Sequence, residues 1–245
     1  MSRRIRAVVQ YEGTRYHGFQ RQPQALTVEA ELLRAIARVT GEEVRLMAAG
    51  RTDAGVHACG QVIAFDTASR VPPERFAPAL NSLLPDDIRV LESCQAAAGF
   101  HPRYDARGKV YDYLVHRERS GALFHRRFCL LHEGPLDLEA IRTAAGALEG
   151  THDFRAFCAS GSSVQDYVRT LWSCRLQEEG ALLRFRFAGN GFLYHMVRIM
   201  VGTLLEVGRG KMPPQQVAEI LRRGERGGTG PTAPACGLFL VRVLY

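Results

Sequence analysis

Lysine is nearly missing from this 245-residue chain: Lys109 and Lys211 stand against thirty arginines. No two cysteines have the C-x-x-C spacing that lets a pair of thiolates reach one tetrahedral metal. No uninterrupted apolar run approaches the ~20 residues that span a bilayer, so no membrane-spanning helix is expected. The opening residues, MSRRIRAVVQYEG, are basic, but they pass straight into strand-like alternation with no long apolar stretch or small-residue cleavage site. A soluble, cytoplasmic protein is expected. G-x-G-x-x-G, G-x-x-x-x-G-K-[ST] and G-x-S-x-G are all absent, so neither a nucleotide cofactor nor a serine nucleophile is indicated. His17, His57 and His195 do not share metal-ligand spacing, which leaves a metal-dependent phosphodiesterase built on Asp53, His57 and His195 weakly supported. No cofactor and no metal are expected. In a chain of this size the six cysteines are expected to be buried free thiols rather than a disulfide framework.

What is present is core-forming material. Hydrophobic residues make up 46% of the chain and charged residues 23%, too apolar for a disordered segment and enough to bury one large core or two small ones. Charge is uneven. Up to Pro102 there are 12 basic residues against 11 acidic, and beyond it 20 against 14, within a formal net charge of +7. That balance favours a polyanionic partner, and arginine's planar fork suits phosphates and bases. Two regions are therefore expected: residues 1–102, and a more basic 103–245.

The pattern of elements agrees with a division. Ile5, Ala7, Val9 and Tyr11 alternate with wetter residues over 5–11, a strand. Thr27 is placed to cap a helix carrying Leu32, Leu33, Ile36 and Val39 and stopped by Gly41. Strands at 44–48 and 61–66, a helix near 74–84 and a strand at 88–94 complete the order β-α-β-β-α-β. The second part gives a strand at 110–116, a helix at 137–148 starting on Asp137, strands at 168–176 and 182–188, helices at 191–208 and 214–223, and a last strand at 237–243. Residues 159–166 and 222–237 are loops. The reading is an α+β fold of two ferredoxin-like (split β-α-β) halves with mainly antiparallel sheets and a central cleft.

Three groups of residues could carry chemistry. Gly50-Arg51-Thr52-Asp53-Ala54-Gly55-Val56-His57-Ala58 sets charged and ring side chains among small ones that let a ligand approach the backbone. Asp53 could be a nucleophile, a general base or a turn former. The helix over 191–208 is apolar almost all round, but Gly191, His195, Arg198 and Gly202 fall at i, i+4, i+7 and i+11 on one face. A buried arginine there needs an acidic partner. Asp105 and Glu206 are structural choices and Asp53 the functional one; the residues alone leave these open. Tyr111, Tyr113 and Val115 share a strand face, as core tyrosines or as a base-stacking surface. Arg169, Arg175, Arg184 and Arg186 alternate with apolar residues, giving an arginine-bearing face that is either solvated or turned to RNA.

GRTDAGVHACGQV closely resembles the active-site segment of the tRNA pseudouridine synthase A family. The likeness continues in YEGTRYHGFQRQ at 11–22, FHPRYDARGKVYDYLV at 100–115, GNGFLYHMVRIMVGTLLEVGRGK at 189–211 and TAPACGLFLVRVLY at 232–245, so it runs through the whole chain in family order. Phe19, where many relatives have Trp, and Pro102 depart from the family pattern away from the proposed chemistry. Carried over the five blocks, which end at residue 245, the resemblance implies isomerisation of uridine to pseudouridine in the anticodon stem-loop of tRNA, at tRNA positions 38 to 40. It implies a homodimer and no cofactor. Asp53 would be the nucleophile, Arg51 its motif neighbour, Tyr111 the tyrosine stacked on the target base, and Arg198 the partner of Asp53. His57, His195 and Tyr16, in the same blocks, join Arg51 and Tyr111 as candidate substrate-binding residues. The reaction breaks a C–N bond and forms a C–C bond with no net oxidation, so it needs a nucleophile and no electron carrier. Attack at uracil C6 and chemistry at ribose C1′ both remain open. A non-catalytic tRNA-binding module is the alternative.

Overall fold

The computed structural model describes residues 2–118, 122–162 and 164–245. Ser163, inside the expected loop at 159–166, lies outside the described residues. The chain forms two compact units. One holds the chain up to Arg107 together with Phe239–Tyr245, and the other holds Gly108–Leu238.

In the first unit, β1 (Arg3–Tyr11) alternates buried and wetter positions, as its sequence requires. It pairs antiparallel with β3 (His57–Thr67) on one side and β4 (Ile88–Ala96) on the other. Helix α1 (Val28–Thr40) starts where the Thr27 hydroxyl accepts the Ala30 N–H, and ends at Gly41 in the left-handed region, φ 74°. Its buried stripe is Val28, Leu32, Ala35 and Ile36; sealing Leu32 or Ile36 from water contributes ~1.5–3 kcal/mol each. The two-residue β2 (Met47–Ala48) lies antiparallel to β3, and the short α2 (Phe76–Asn81) packs on β4.

The second unit is built on β5 (Gly108–His116), which pairs antiparallel with β9 (Leu182–Gly189). Next come β8 (Val168–Glu179) and then β7 (Gly150–Asp153), again antiparallel, while β6 (Leu130–Leu131) runs parallel to β5. Helix α3 (Leu138–Gly146) is capped by Asp137, whose carboxylate accepts the Ala140 N–H at 2.9 Å. Helix α4 (Met196–Gly208) packs on α3 and β5, and α5 (Gln216–Arg223) ends at Gly224 in the left-handed region. The whole is α+β with mainly antiparallel pairing.

The fold departs from the sequence pattern at four points. The strands β6 and β7 go unseen because one is two residues long and the other, GTHD, is polar with a glycine start. The last strand, β10 (Leu238–Leu244), comes at the end of the second half in chain order yet pairs parallel with β3 in the first unit, Phe239 opposite His57. The apolar run at 191–208 becomes helix only from Met196. His195, at φ 59°, occupies the left-handed region, which interrupts helical geometry, so Gly191 and His195 do not share a helical face with Arg198 and Gly202. Finally, the thiols are not all buried. Cys59 and Cys94 lie at exposed strand positions.

Candidate active site

Residues 49–57 turn from β2 into β3, and the loop at 12–22 holds them. The Phe19 N–H donates to the Thr52 carbonyl at 3.0 Å and the Gly55 N–H to the Tyr16 carbonyl at 3.2 Å. The buried hydroxyls of Tyr11 and Thr52 meet at 2.7 Å, and the Gln61 amide donates to the Gly50 carbonyl at 2.7 Å. Burial holds the Tyr11 phenol well above its ordinary pKa, so it stays a neutral hydrogen-bonding group. Two glycines make the approach possible. A Cβ on Gly13 would lie 2.0 Å from the Val56 carbonyl oxygen. One on Gly18, whose φ is +90°, would lie 2.7 Å from the Thr52 carbonyl oxygen. Glycine is the residue that admits such contact. Asp53 is thus a half-buried residue on a held backbone: Thr52 before it makes three contacts, and its own carbonyl accepts the Val56 N–H at 3.1 Å.

The other candidates of this unit have distinct surroundings. Arg51 is exposed. His57 is buried: its Nδ1 accepts the Gly13 N–H at 3.1 Å, and its ring stacks on Phe239 with centroids 4.7 Å apart. Tyr16 is buried too. Its hydroxyl donates to the Asp87 carboxylate at 2.6 Å, and the Arg15 guanidinium lies over its ring while pairing with the same carboxylate. Burial, reinforced by Asp87, pushes the Tyr16 phenol up to about 12. Asp105 accepts the His101 N–H at 2.9 Å.

In the second unit, Tyr111 is only 8% exposed and meets Phe192 edge to face at 4.9 Å. Tyr113 is fully buried and donates to the Pro234 carbonyl at 2.8 Å. Half-buried Arg198 stands in the first turn of α4. Its Nε donates to the Ala233 carbonyl at 2.7 Å, and its own carbonyl accepts the Ala233 N–H at 3.1 Å. Glu206, two turns further along the helix, pairs with Arg209 and Lys211 instead. Gly202 lets the 230–233 segment close over α4, since a Cβ there would lie 1.7 Å from the Pro231 carbonyl oxygen. His195 is half-buried, its ring 3.9 Å from that of Tyr194.

Of the arginines on the strands of the second unit, Arg175 is exposed, whereas Arg184 and Arg186 are tied to one carboxylate. Asp112, 3% exposed, accepts from both nitrogens on one edge of Arg186 at 2.7 Å and from Arg184 at 3.0 Å. Sequence reasoning passed over Asp112, although its place between Tyr111 and Tyr113 puts it on the opposite strand face, and the neighbouring strand carries arginines at two-residue spacing. Asp87 was also missed; its distance from Tyr16 in the chain gave no signal. Among the described residues no group of three or more His, Cys, Asp or Glu side chains is placed to hold a metal ion. No helix of the described residues is long and apolar enough to cross a membrane.

The sequence matches the family of tRNA pseudouridine synthases over residues 7–105 and 144–245. The chain belongs to that family. It is 52% identical over 242 residues to "tRNA pseudouridine synthase A" of Syntrophomonas wolfei, covering 99% of this chain and 97% of the relative. The protein of the same name from Acetivibrio thermocellus is 47% identical over 245 residues, covering 99% of this chain and all of the relative (100%). Among solved structures, a chain in a Cbf5-Nop10-Gar1 complex is a distant likeness: TM-score 0.40 and 17% identity, over 82% of this chain and 45% of that one.

Proposed function

We propose that this protein isomerises uridine to pseudouridine in the anticodon stem-loop of tRNA, with Asp53 as the nucleophile. Membership of the tRNA pseudouridine synthase family makes it an isomerase acting on tRNA uridine. The observation that carries the finer reading is the Asp53 loop, whose backbone is fixed on either side of the one carboxylate by buried contacts to Tyr11, Gly13, Gly18 and Phe19. A nucleophile that must meet a flipped-out nucleotide gains from such pre-organisation.

In this reading the N1–C1′ bond of the uridine breaks while the Asp53 carboxylate takes up the electrophilic fragment. The uracil turns, C5 bonds to C1′ while the bond to Asp53 breaks and frees its carboxylate, and the C5 proton passes to solvent as N1 regains one; nothing is oxidised or reduced. Tyr111 lies against the target base and assists loss of the C5 proton, Arg198 serves the Asp53 carboxylate as its counter-charge, and Arg51, His57, His195 and Tyr16 line or support the substrate path. For His57 and Tyr16 the buried partners described above favour support over direct contact. Each unit is read as one half of a duplicated split β-α-β plan. The working protein is read as a cytoplasmic homodimer.

Mapping pseudouridine by mass spectrometry in tRNA treated with wild-type and Asp53→Asn protein tests this. The variant is expected to bind tRNA within about threefold of wild type while its rate falls by ~10⁴-fold or more, the scale of losing a nucleophile. A variant that still makes pseudouridine removes the proposed role of Asp53. Equal binding with no product from either protein favours a non-catalytic tRNA-binding module.

A further inference from the structure

A cavity of about 550 Å³ lies within the second unit, lined by Arg155, Cys158, Tyr167, Gly224, Arg226 and Thr232 among others. That volume suits a small-molecule-sized group. Its two cations are held in place before any ligand arrives. The Arg155 guanidinium engages Asp153 along its Nε–Nη2 edge and lies over the Tyr167 ring, 5.6 Å from the centroid. Gly224, with φ 71°, leaves room for it, since a Cβ there would come within 2.9 Å of the Arg155 stem. Arg226 is half-buried, and its partners are all neutral: the hydroxyls of Thr229 and Thr232 and the Gly230 carbonyl at 3.1 Å. A half-buried guanidinium with no carboxylate partner among the described residues keeps its full charge for an anion. Among the described residues no acidic side chain lines the cavity.

We infer that this cavity takes a nucleotide of the RNA substrate other than the one being isomerised, with the phosphate on Arg226 and Arg155 and the base or sugar against Tyr167, Ala159 and Ser160. This rests on the reading of the protein as a tRNA-modifying enzyme. An RNA strand fits better than a free nucleotide because Arg155 and Ser160 at the rim are exposed, so a chain can enter and leave. The cavity also adjoins the mount of Arg198. Thr232 precedes Ala233, which Arg198 clasps with side chain and backbone, and Ala159 donates to the Tyr194 carbonyl at 3.1 Å just before α4 begins. A nucleotide bound here would bear on the same segment that positions Arg198.

The test is tRNA binding by fluorescence anisotropy across a potassium chloride series, for wild type, Arg155→Gln, Arg226→Gln and Ser160→Glu. Each variant is expected to weaken binding roughly tenfold. The two arginine variants should also flatten the slope of log affinity against log salt by about 0.9, the mark of one lost phosphate contact. Uridine monophosphate and inorganic phosphate, as competitors, should displace tRNA only at far higher concentrations. Arg226→Gln could lose its loop with its hydrogen bonds, so thermal melts accompany every variant. Arg155→Gln and Ser160→Glu change exposed side chains and decide the matter if Arg226→Gln unfolds. Unchanged affinity and slope, with wild type still forming pseudouridine, would overturn the cavity assignment alone. Uridine monophosphate binding that the variants abolish, with tRNA affinity untouched, would assign the cavity to a free nucleotide and overturn it equally. Wild type forming no pseudouridine would instead sink the functional reading beneath it.

Discussion

Two segments carry the proposed chemistry, and they are secured in opposite ways. The Asp53 loop has no regular structure of its own and is gripped from outside, by a tyrosine hydroxyl, two close-approaching glycines and backbone bonds from residues 12–22. Arg198 rides on a regular element, α4, and clasps Ala233 by backbone and side chain together. A loop fixed by many separate contacts loses its geometry when any one neighbour swells, because interiors are packed too closely to yield. A side chain on a helix keeps its place unless its own atoms or the residue it clasps are removed. The first arrangement is sensitive to remote sterics, the second to the residue itself.

The contrast can be broken first at Arg198. Arg198→Leu keeps the helix and removes the charge, and in steady-state assays on tRNA its rate is expected to fall by ~10²–10³-fold. Its melting temperature should drop by only a few degrees. Parallel losses in both would reduce Arg198 to a structural clasp. Next comes a matched pair of glycines. Gly13→Ala and Gly202→Ala each drive a methyl into a carbonyl oxygen and should cost about 2–3 kcal/mol by denaturant unfolding. Only Gly13→Ala is expected to depress the turnover of the molecules that remain folded; equal turnover in the two would erase the distinction between the segments. The smallest effect concerns Tyr16, which braces the same loop. Its folded-state phenol is raised to about 12 from an ordinary 10, so its contribution to stability is whole below pH 10 and is lost as pH rises through about 12. Thermal melts should therefore fall more steeply between pH 10 and 12 for wild type than for Tyr16→Phe. Identical slopes would remove Tyr16 from the account.

How much of this could be read from residues alone depended on whether the controlling interaction was local. The caps at Thr27 and Asp137 and the alternation of β1 were legible because each rests on neighbours a few positions apart. The start of α4 was not, since an apolar run reads as helix whether or not one residue in it turns left-handed, as His195 does. The partner strand of β10 was also hidden, because chain order says nothing about a parallel pairing across some 180 residues. At the site, the RTD segment drew attention through its small neighbours and family likeness. Its support from Tyr11, Gly13 and Gly18 lies forty residues upstream, and the charge pairing of Asp112 needed the register of β5 on β9.

The placement of β10 has a consequence for how the protein is made. The strand bearing Phe239 leaves the ribosome some 180 residues after His57, yet its ring is the stacking partner of His57, which in turn holds Gly13 beside the Asp53 loop. A nascent chain that has released its first hundred residues still lacks this piece, so the amino-terminal sheet must wait, incomplete, while everything after it is translated. A message cut short before residue 238 would yield a polypeptide in which the RTD segment keeps its braces from residues 11–22 while His57 lacks its stacking partner.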